Sequence, residues 1–143
     1  MICVDTSFLI SFYGDDEKSV EARRHRAAST HPLRVHALND FELANALRAL
    51  VFRGKITAIQ RRDWLADYEA DKKAGMLRFT AMDANEMLRF AETLSATWTE
   101  SQGNRCLDIL HLAAAKALGA TEFWSFDARQ RELATAEGLS VGP

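Results

Sequence analysis

Two cysteines, two prolines and no long apolar run in 143 residues exclude several classes of protein at once. Cys3 and Cys106 each lie inside an apolar stretch with no CxxC or Cys/His cluster nearby. Neither zinc nor a disulfide framework is indicated, and both read as buried free thiols. With so little proline, no low-complexity segment and no fixed-period repeat, flexible linkers and solenoids are excluded. No stretch approaches the roughly 20 uninterrupted apolar residues of a membrane span. The opening "MICVDTSFLI" has neither the basic start nor the small-residue cleavage site of a signal peptide, so a cytoplasmic protein with no membrane partner is expected. Charge of one sign is missing too: 18 Lys and Arg face 20 Asp and Glu, for a net charge of -2. Such a chain has no strongly basic surface to hold a polyanion by counterion release, so a nucleic-acid partner needs another source of attraction. What is present is 48% apolar and 27% charged residues, which suits one domain over 1–143 with its own core.

Glycine supplies the punctuation. Gly54, Gly75, Gly119 and Gly138 each follow a run with helical spacing and are expected as left-handed C-terminal caps. Between these stops, short β-branched and aromatic runs alternate with helical patterns. "ICV" predicts a buried strand ending at Asp5, with Thr6 or Ser7 capping a helix whose apolar face is "FLISFY". "EARRHRAAS" predicts a basic helix, and "LRVHA" after Pro32 a second strand. "NDFELANALRALVFRG", capped by Asn39 or Asp40, and "TAIQRRDWLADYEADKKAG" predict two more helices. "MLRFTAM" is a third strand, Asp83 caps the helix "ANEMLRFAETLSATW", and the polar "TESQGN" reads as a loop into the apolar helix "NRCLDILHLAAAKALGA". "TEFWSF", ending at Asp127, is a fourth strand, "ARQRELATAEG" a last helix and "LSV" an edge strand. The alternation predicts an α/β fold: a three-layer α/β/α sandwich on a central, mostly parallel sheet of four to five strands. Ligands of such sheets gather outside the carboxyl ends of the strands.

Four carboxylates in apolar company point to that edge. Asp5 follows "ICV" and Asp127 follows "FWSF", so both terminate strands. Glu42 in "FELANAL" and Asp108 in "CLDILHL" lie near the starts of helices, which begin at the same edge. Two carboxylates about 4 Å apart repel by about 4 kcal/mol at an effective dielectric near 20, so a cluster of four either captures protons or binds a hard divalent cation. Oxygen ligands without Cys or paired His favour Mg²⁺ or Mn²⁺ over zinc. A hydrated Mg²⁺ of this kind suits phosphodiester cleavage, and it makes an acidic site attractive to a polyanion. Each acid also has a purely structural reading. Asp5 and Asp127 can cap helices, Glu42 can pair with Asn39 in a capping box, and Asp108 can complement a helix dipole.

In order along the chain, strand-Asp-Thr-Ser, "FELANALR", "LDILHLAAAKALGA" and "FWSFDARQRELA" resemble the PIN-domain nucleases, and most closely the toxins of VapBC toxin-antitoxin pairs. The resemblance covers essentially the whole chain. It implies a Mg²⁺- or Mn²⁺-dependent endoribonuclease acting on RNA, a cognate antitoxin that covers the acidic groove, and a homodimer. Carried over by position, Asp5, Glu42, Asp108 and Asp127 become the catalytic and metal site. Asp5 and Asp108 are then the direct ligands, and Glu42 and Asp127 complete the site or hold waters and a second ion. Ser125 and Thr6 match positions where supporting hydrogen bonds are expected. His111, on the same helix face as Asp108, lies outside the family's general acidic motif. It reads as a packed or hydrogen-bonded histidine, or as a group behind the ligands or facing phosphate.

Other features divide between solvated or packed surface and partner contact. "RRHR" (23–26), Arg61, Arg62, Lys72 and Lys73 read as solvated helix faces that can also touch phosphates. Phe41, Phe52, Trp64 and Tyr68 read as core or partner-facing rather than as base-stacking platforms, and with "FLISFY" they form a candidate apolar groove or dimer surface. Two other classes of function fit less well. A receiver-like phosphoacceptor domain expects adjacent acids after the first strand and a Lys after the last core strand, where this chain has Asp5-Thr6 and "ARQR". A haloacid-type phosphatase expects Asp-x-Asp, and position 7 is Ser. A non-catalytic PIN-like binding module stays open beside the nuclease.

Overall fold

Residue alternation in three-residue strands decides how the layers form. The computed structural model describes residues 1–143. In β1 (Ile2–Val4), Ile2 and Val4 face one side of the sheet and Cys3 the other, as the two-residue period of a strand requires. Trp124 and Phe123 of β4 (Glu122–Trp124) divide in the same way. The first face is covered by α1 (Thr6–Tyr13), α2 (Ser19–Ala28), α3 (Ala37–Phe52) and α4 (Ala58–Ala74), through Phe8, Leu9, Ala22, Leu43, Leu47 and Tyr68. The second is covered by α5 (Ala84–Leu94), α7 (Cys106–Ala117) and α8 (Ala128–Ala136), through Ala91, Leu94, Ile109, Leu112, Ala113 and Leu133. With β2 (Leu33–Val35), β3 (Leu77–Phe79) and β5 (Ser140–Gly142), the sheet runs in the order β3-β2-β1-β4-β5 and every pairing is parallel. The expected α/β/α sandwich is therefore present, with β1 at its centre.

That order puts the N-terminal strand between partners from opposite ends of the chain. Ile2 is in register with Leu33 on one side and Glu122 on the other. The carboxyl end of β1 thus lies between the ends of β2 and β4, at the point where the strand order reverses, which is where ligands of open parallel sheets bind.

Several boundaries differ from the sequence expectation. Of the two caps the sequence offers for the first helix, the structure uses Asp5, whose side chain accepts from the Phe8 amide, and not Thr6 or Ser7. The third helix begins at Ala37 with His36 as its cap residue, not at Asn39 or Asp40. Asn39 is its third residue and reaches back: its Oδ1 accepts from the His36 amide at 3.0 Å while its Nδ2 donates to the Val4 carbonyl at 2.9 Å. One buried amide thereby ties the start of α3 to the end of β1 and places Glu42 in the second helical turn. "TESQGN" is not a loop throughout, because α5 runs on through a π-helical turn (Ser95–Thr99) into a short helical turn, α6 (Glu100–Gln102). Gly103, at φ 65°, ends that run and turns the chain into α7. The four glycines expected as caps all have positive φ.

Burial corrects two further expectations. Cys106 is exposed while Cys3 is buried, because the first residue of α7 faces a groove between α5 and α7 instead of the sheet. "FLISFY" is mainly core: Phe8 and Leu9 are fully buried, so this helix offers little free apolar surface. Phe41 and Phe52 are exposed, Phe52 at 91% of its surface, whereas Tyr68 is buried and Trp64 packs against the core. Many basic residues have structural partners. Arg23 donates to the Phe12 and Gly14 carbonyls, and Lys72 joins Asp40, Glu69 and the Tyr68 ring. Asp40 also accepts from the Tyr68 hydroxyl at 2.6 Å, which binds α4 to α3.

Because Phe8 fills the first core and Phe52 touches little, Phe8→Ala is expected to lower the unfolding free energy in urea by about 3–5 kcal/mol. Phe52→Ser should change it by less than about 0.5 kcal/mol.

Candidate functional site

At the carboxyl end of β1 stands a carboxylate with no access to water. Asp5 is fully buried. Its Oδ1 accepts from the Phe8 amide at 2.9 Å and the Ser7 hydroxyl at 2.8 Å. Its Oδ2 accepts from Ser125 Oγ at 2.7 Å, Gln130 Nε2 at 2.9 Å and again Ser7 Oγ at 2.8 Å. The donors come from the first turn of α1, from the residue after β4 and from the first turn of α8. Ser125 is held in turn by accepting from the Asp127 amide at 2.9 Å, and Ser7 by accepting from the Phe126 amide at 2.9 Å. Burial pushes the Asp5 carboxyl above the usual carboxylate range, and the Phe8 amide, the nearby His111 ring and the two serines offset only part of that shift.

A second cluster adjoins the first through Thr6. The Glu42 carboxylate accepts from Thr6 Oγ1 and meets His111 Nε2 in a close ion-pair geometry. His111 is buried on α7, and its other nitrogen, Nδ1, has no partner. Partial burial raises the Glu42 carboxyl, but His111 and Thr6 outweigh this and hold it below its ordinary value, so Glu42 stays ionised. Behind it lies His36, its ring centroid 6.0 Å from that of His111. Burial and the neighbouring His111 push His36 down to about 4, which keeps it neutral.

The remaining two acids serve helix starts. Asp108 is buried in the first turn of α7, one turn before His111, and its Oδ2 accepts from the Arg105 amide at 3.2 Å. No hydrogen bond or ion pair joins it to the other three. Asp127 caps α8 by accepting from the Arg129 and Gln130 amides at 2.9 and 3.3 Å, and lies three residues beyond the end of β4. All four acids therefore sit at the carboxyl edge of the sheet, but protein donors engage each of them and they do not close on one another. No group of three or more His, Cys, Asp or Glu side chains is arranged to hold one ion.

That arrangement fits a water-rich hard cation better than a closed protein cage. Mg²⁺ keeps several waters and is commonly held by one or two carboxylates together with substrate phosphates. The four acids at the edge offer oxygen donors, the ligand type Mg²⁺ takes, with the His111 and His36 rings behind Glu42. Beside Asp5, moreover, the buried Gln130 Oε1 has no partner, an acceptor without the donor its burial calls for.

Two participants escaped the sequence reading, which placed Ser7 in the Asp-Thr-Ser motif and as a possible cap without assigning it a contact to Asp5, and did not single out Gln130. A signal for Gln130 was present: with Leu133 and Ala134 it forms the buried stripe of α8, at spacings of three and four residues. A polar residue on such a stripe, one turn into a helix that starts at the ligand edge, is a candidate for contact with whatever the edge holds.

A parallel α/β/α sandwich whose central strand delivers a buried aspartate to an acidic edge defines a recognised class of fold. The PIN-domain profile matches residues 2–136, and the chain belongs to the PIN-domain family. A comparison with curated protein sequences finds no match. Among solved structures, Mycobacterium tuberculosis VapC20, a Sarcin-Ricin loop cleaving toxin, superposes with a TM-score of 0.72 at 19% identity over 100% of both chains. VapBC-1 from nontypeable Haemophilus influenzae gives 0.65 at 14% identity, over 99% of this chain and 97% of the other. DNA-bound VapBC from Salmonella typhimurium gives 0.65 at 14% identity, over 99% and 96%. At these identities the likeness is one of fold.

Proton linkage fixes the sign of the Asp5 contribution to stability. Below the ordinary carboxylate value, about 3.9, the group is protonated in both folded and unfolded chains and carries no penalty. As pH rises through its raised folded value, the folded state loses stability. Asp5→Asn, with Gln130 free to turn its amide and accept from the new side chain, avoids this loss. In chelator, the variant's melting temperature is expected to gain on the parent's between acid pH and pH 7. An unchanged difference across that window would show that burial does not penalise the Asp5 charge.

Proposed function

We propose that the chain is a metal-dependent endoribonuclease of the VapC type, the toxin of a type II toxin-antitoxin pair, and that residues 1–143 act as a single PIN domain. Asp5 and Asp108 would hold a Mg²⁺ or Mn²⁺ ion, and Glu42 and Asp127 would complete the site or hold waters and a second ion. Bound there, the cation would supply positive charge to offset the scissile phosphate and would lower the pKa of an attacking water. The observation that carries the reading is Asp5: a fully buried carboxylate at the strand-order reversal, with its charge penalty uncompensated by any full positive charge in hydrogen-bond contact. A helix cap does not require burial of that kind.

The protein's own groups then have distinct work. Ser7, Ser125 and the Phe8 amide fix the direction of the Asp5 oxygens. Thr6 and His111 fix Glu42 and keep it ionised. With a net charge of -2, and with Arg23 and Lys72 engaged in structural contacts, attraction for RNA comes chiefly from the cation. The VapBC relatives are complexes of toxin and antitoxin, which supports a cognate antitoxin as partner. The exposed Phe41 and Phe52 offer apolar surface for it or for a second copy in a homodimer. No helix is long and apolar enough to cross a membrane, in keeping with action on cytoplasmic RNA.

One feature favours a rival. Carboxylates already engaged by protein donors are also what a non-catalytic PIN-like module would present. Incubation of the purified protein with total RNA and Mg²⁺, Mn²⁺ or chelator separates the two. Metal-dependent fragments are expected from the parent chain, and Asp108→Asn and Asp5→Asn should each cut cleavage at least about 100-fold, beyond the loss typical of groups behind a metal's ligands, with circular dichroism unchanged. No fragments under any condition would overturn the nuclease reading and move weight to the binding module.

A further inference from the structure

Gln130 is held in a way that its helix does not require. Its side chain is 7% exposed, and Nε2 donates to Asp5 Oδ2 at 2.9 Å across 125 residues of sequence. The other half of the same amide, Oε1, is buried with no partner. A buried acceptor left bare destabilises the fold, so an apolar residue would serve α8 better if packing were the only demand. The neighbouring groups are already committed: Ser125 Oγ donates to Asp5 and accepts from the Asp127 amide, and Ser7 Oγ spends its proton on Asp5. None of them offers Oε1 a proton. The amide therefore grips the carboxylate with its donor and presents its acceptor to something that brings protons of its own.

We propose that Gln130 is a positioning residue for the metal site, and that a water carried by the Asp5-bound cation supplies the missing donor to Oε1. The inference rests on the metal reading given above. A hydrated divalent cation fits because its waters are strong donors and because Mg²⁺ and Mn²⁺ keep several of them when held by few carboxylates. The amide then acts twice, aiming Asp5 Oδ2 through Nε2 and fixing one bound water through Oε1. Ser125 shares only the first of these tasks, so the two residues separate the effects.

The test is Mn²⁺ binding to the full chain, followed by electron paramagnetic resonance for affinity and by water-proton relaxation for the bound waters. Gln130→Met, which keeps length and loses both amide functions, is expected to weaken Mn²⁺ about 10–100-fold and to alter the relaxation per bound ion. Ser125→Ala is expected to weaken affinity while leaving that relaxation as in the parent. If Gln130→Met does not fold by circular dichroism, Gln130→Asn keeps the amide but withdraws it by one methylene, and should lose affinity in the same sense. Parent-like affinity and relaxation in the folded variant would overturn the proposal while leaving the metal site standing. A parent chain that binds no Mn²⁺ would remove the metal reading and this inference with it.

Discussion

Everything at the sheet edge depends on keeping one carboxylate out of water. Asp5 sits where the central strand ends, and a charge there is tolerated only because hydrogen-bond donors converge on it from α1, from the turn after β4 and from α8. An ion removed from water without such partners costs several kcal/mol. The same donors tie the first residues of the chain to the last third, so the site's electrostatics and the closing of the fold are one problem with one solution. Asn39 performs the equivalent task on the other flank, joining α3 to the end of β1.

The two clusters at the edge differ in how they handle charge. Glu42 has an imidazole and the Thr6 hydroxyl against it, and these contacts hold it ionised. Asp5 has neutral donors and a more distant imidazole, and burial still prevails. One acid is thus held in its ionised form while burial pushes the other toward its protonated form. The asymmetry follows from position: Asp5 is central and closed over by two helix starts, whereas Glu42 lies one turn further out on α3 and keeps contact with solvent.

Much of the layering was legible because it rests on local pattern. Short β-branched and aromatic strands alternating with helical spacing, with glycine after each helix, led directly to a parallel sandwich. The four acids were legible for the same reason, as residues at strand ends and helix starts. What local pattern did not carry was the tertiary donor set. "LRVHA" reads as an unbroken strand, and only the backward reach of Asn39 makes His36 a helix cap. Cys106 sits in an apolar run, but the face of α7 it occupies is decided by the groove against α5. Gln130 is legible only as a polar residue on the buried stripe of α8, and its contact with Asp5 depends on the turn after β4. His111 was seen as sharing a face with Asp108, yet its partner proved to be Glu42, on a helix that pairs with it only in the folded sheet.

The register of β1 also governs when this molecule is complete during synthesis. The first strand made must wait for β4, about 120 residues later, and Asp5 gains its last donor only when residue 130 is in place. Non-local parallel pairing of this kind forms late. A growing chain therefore carries its most buried carboxylate unassembled until nearly all of it has been translated, and an unfinished or truncated copy has no organised acidic edge.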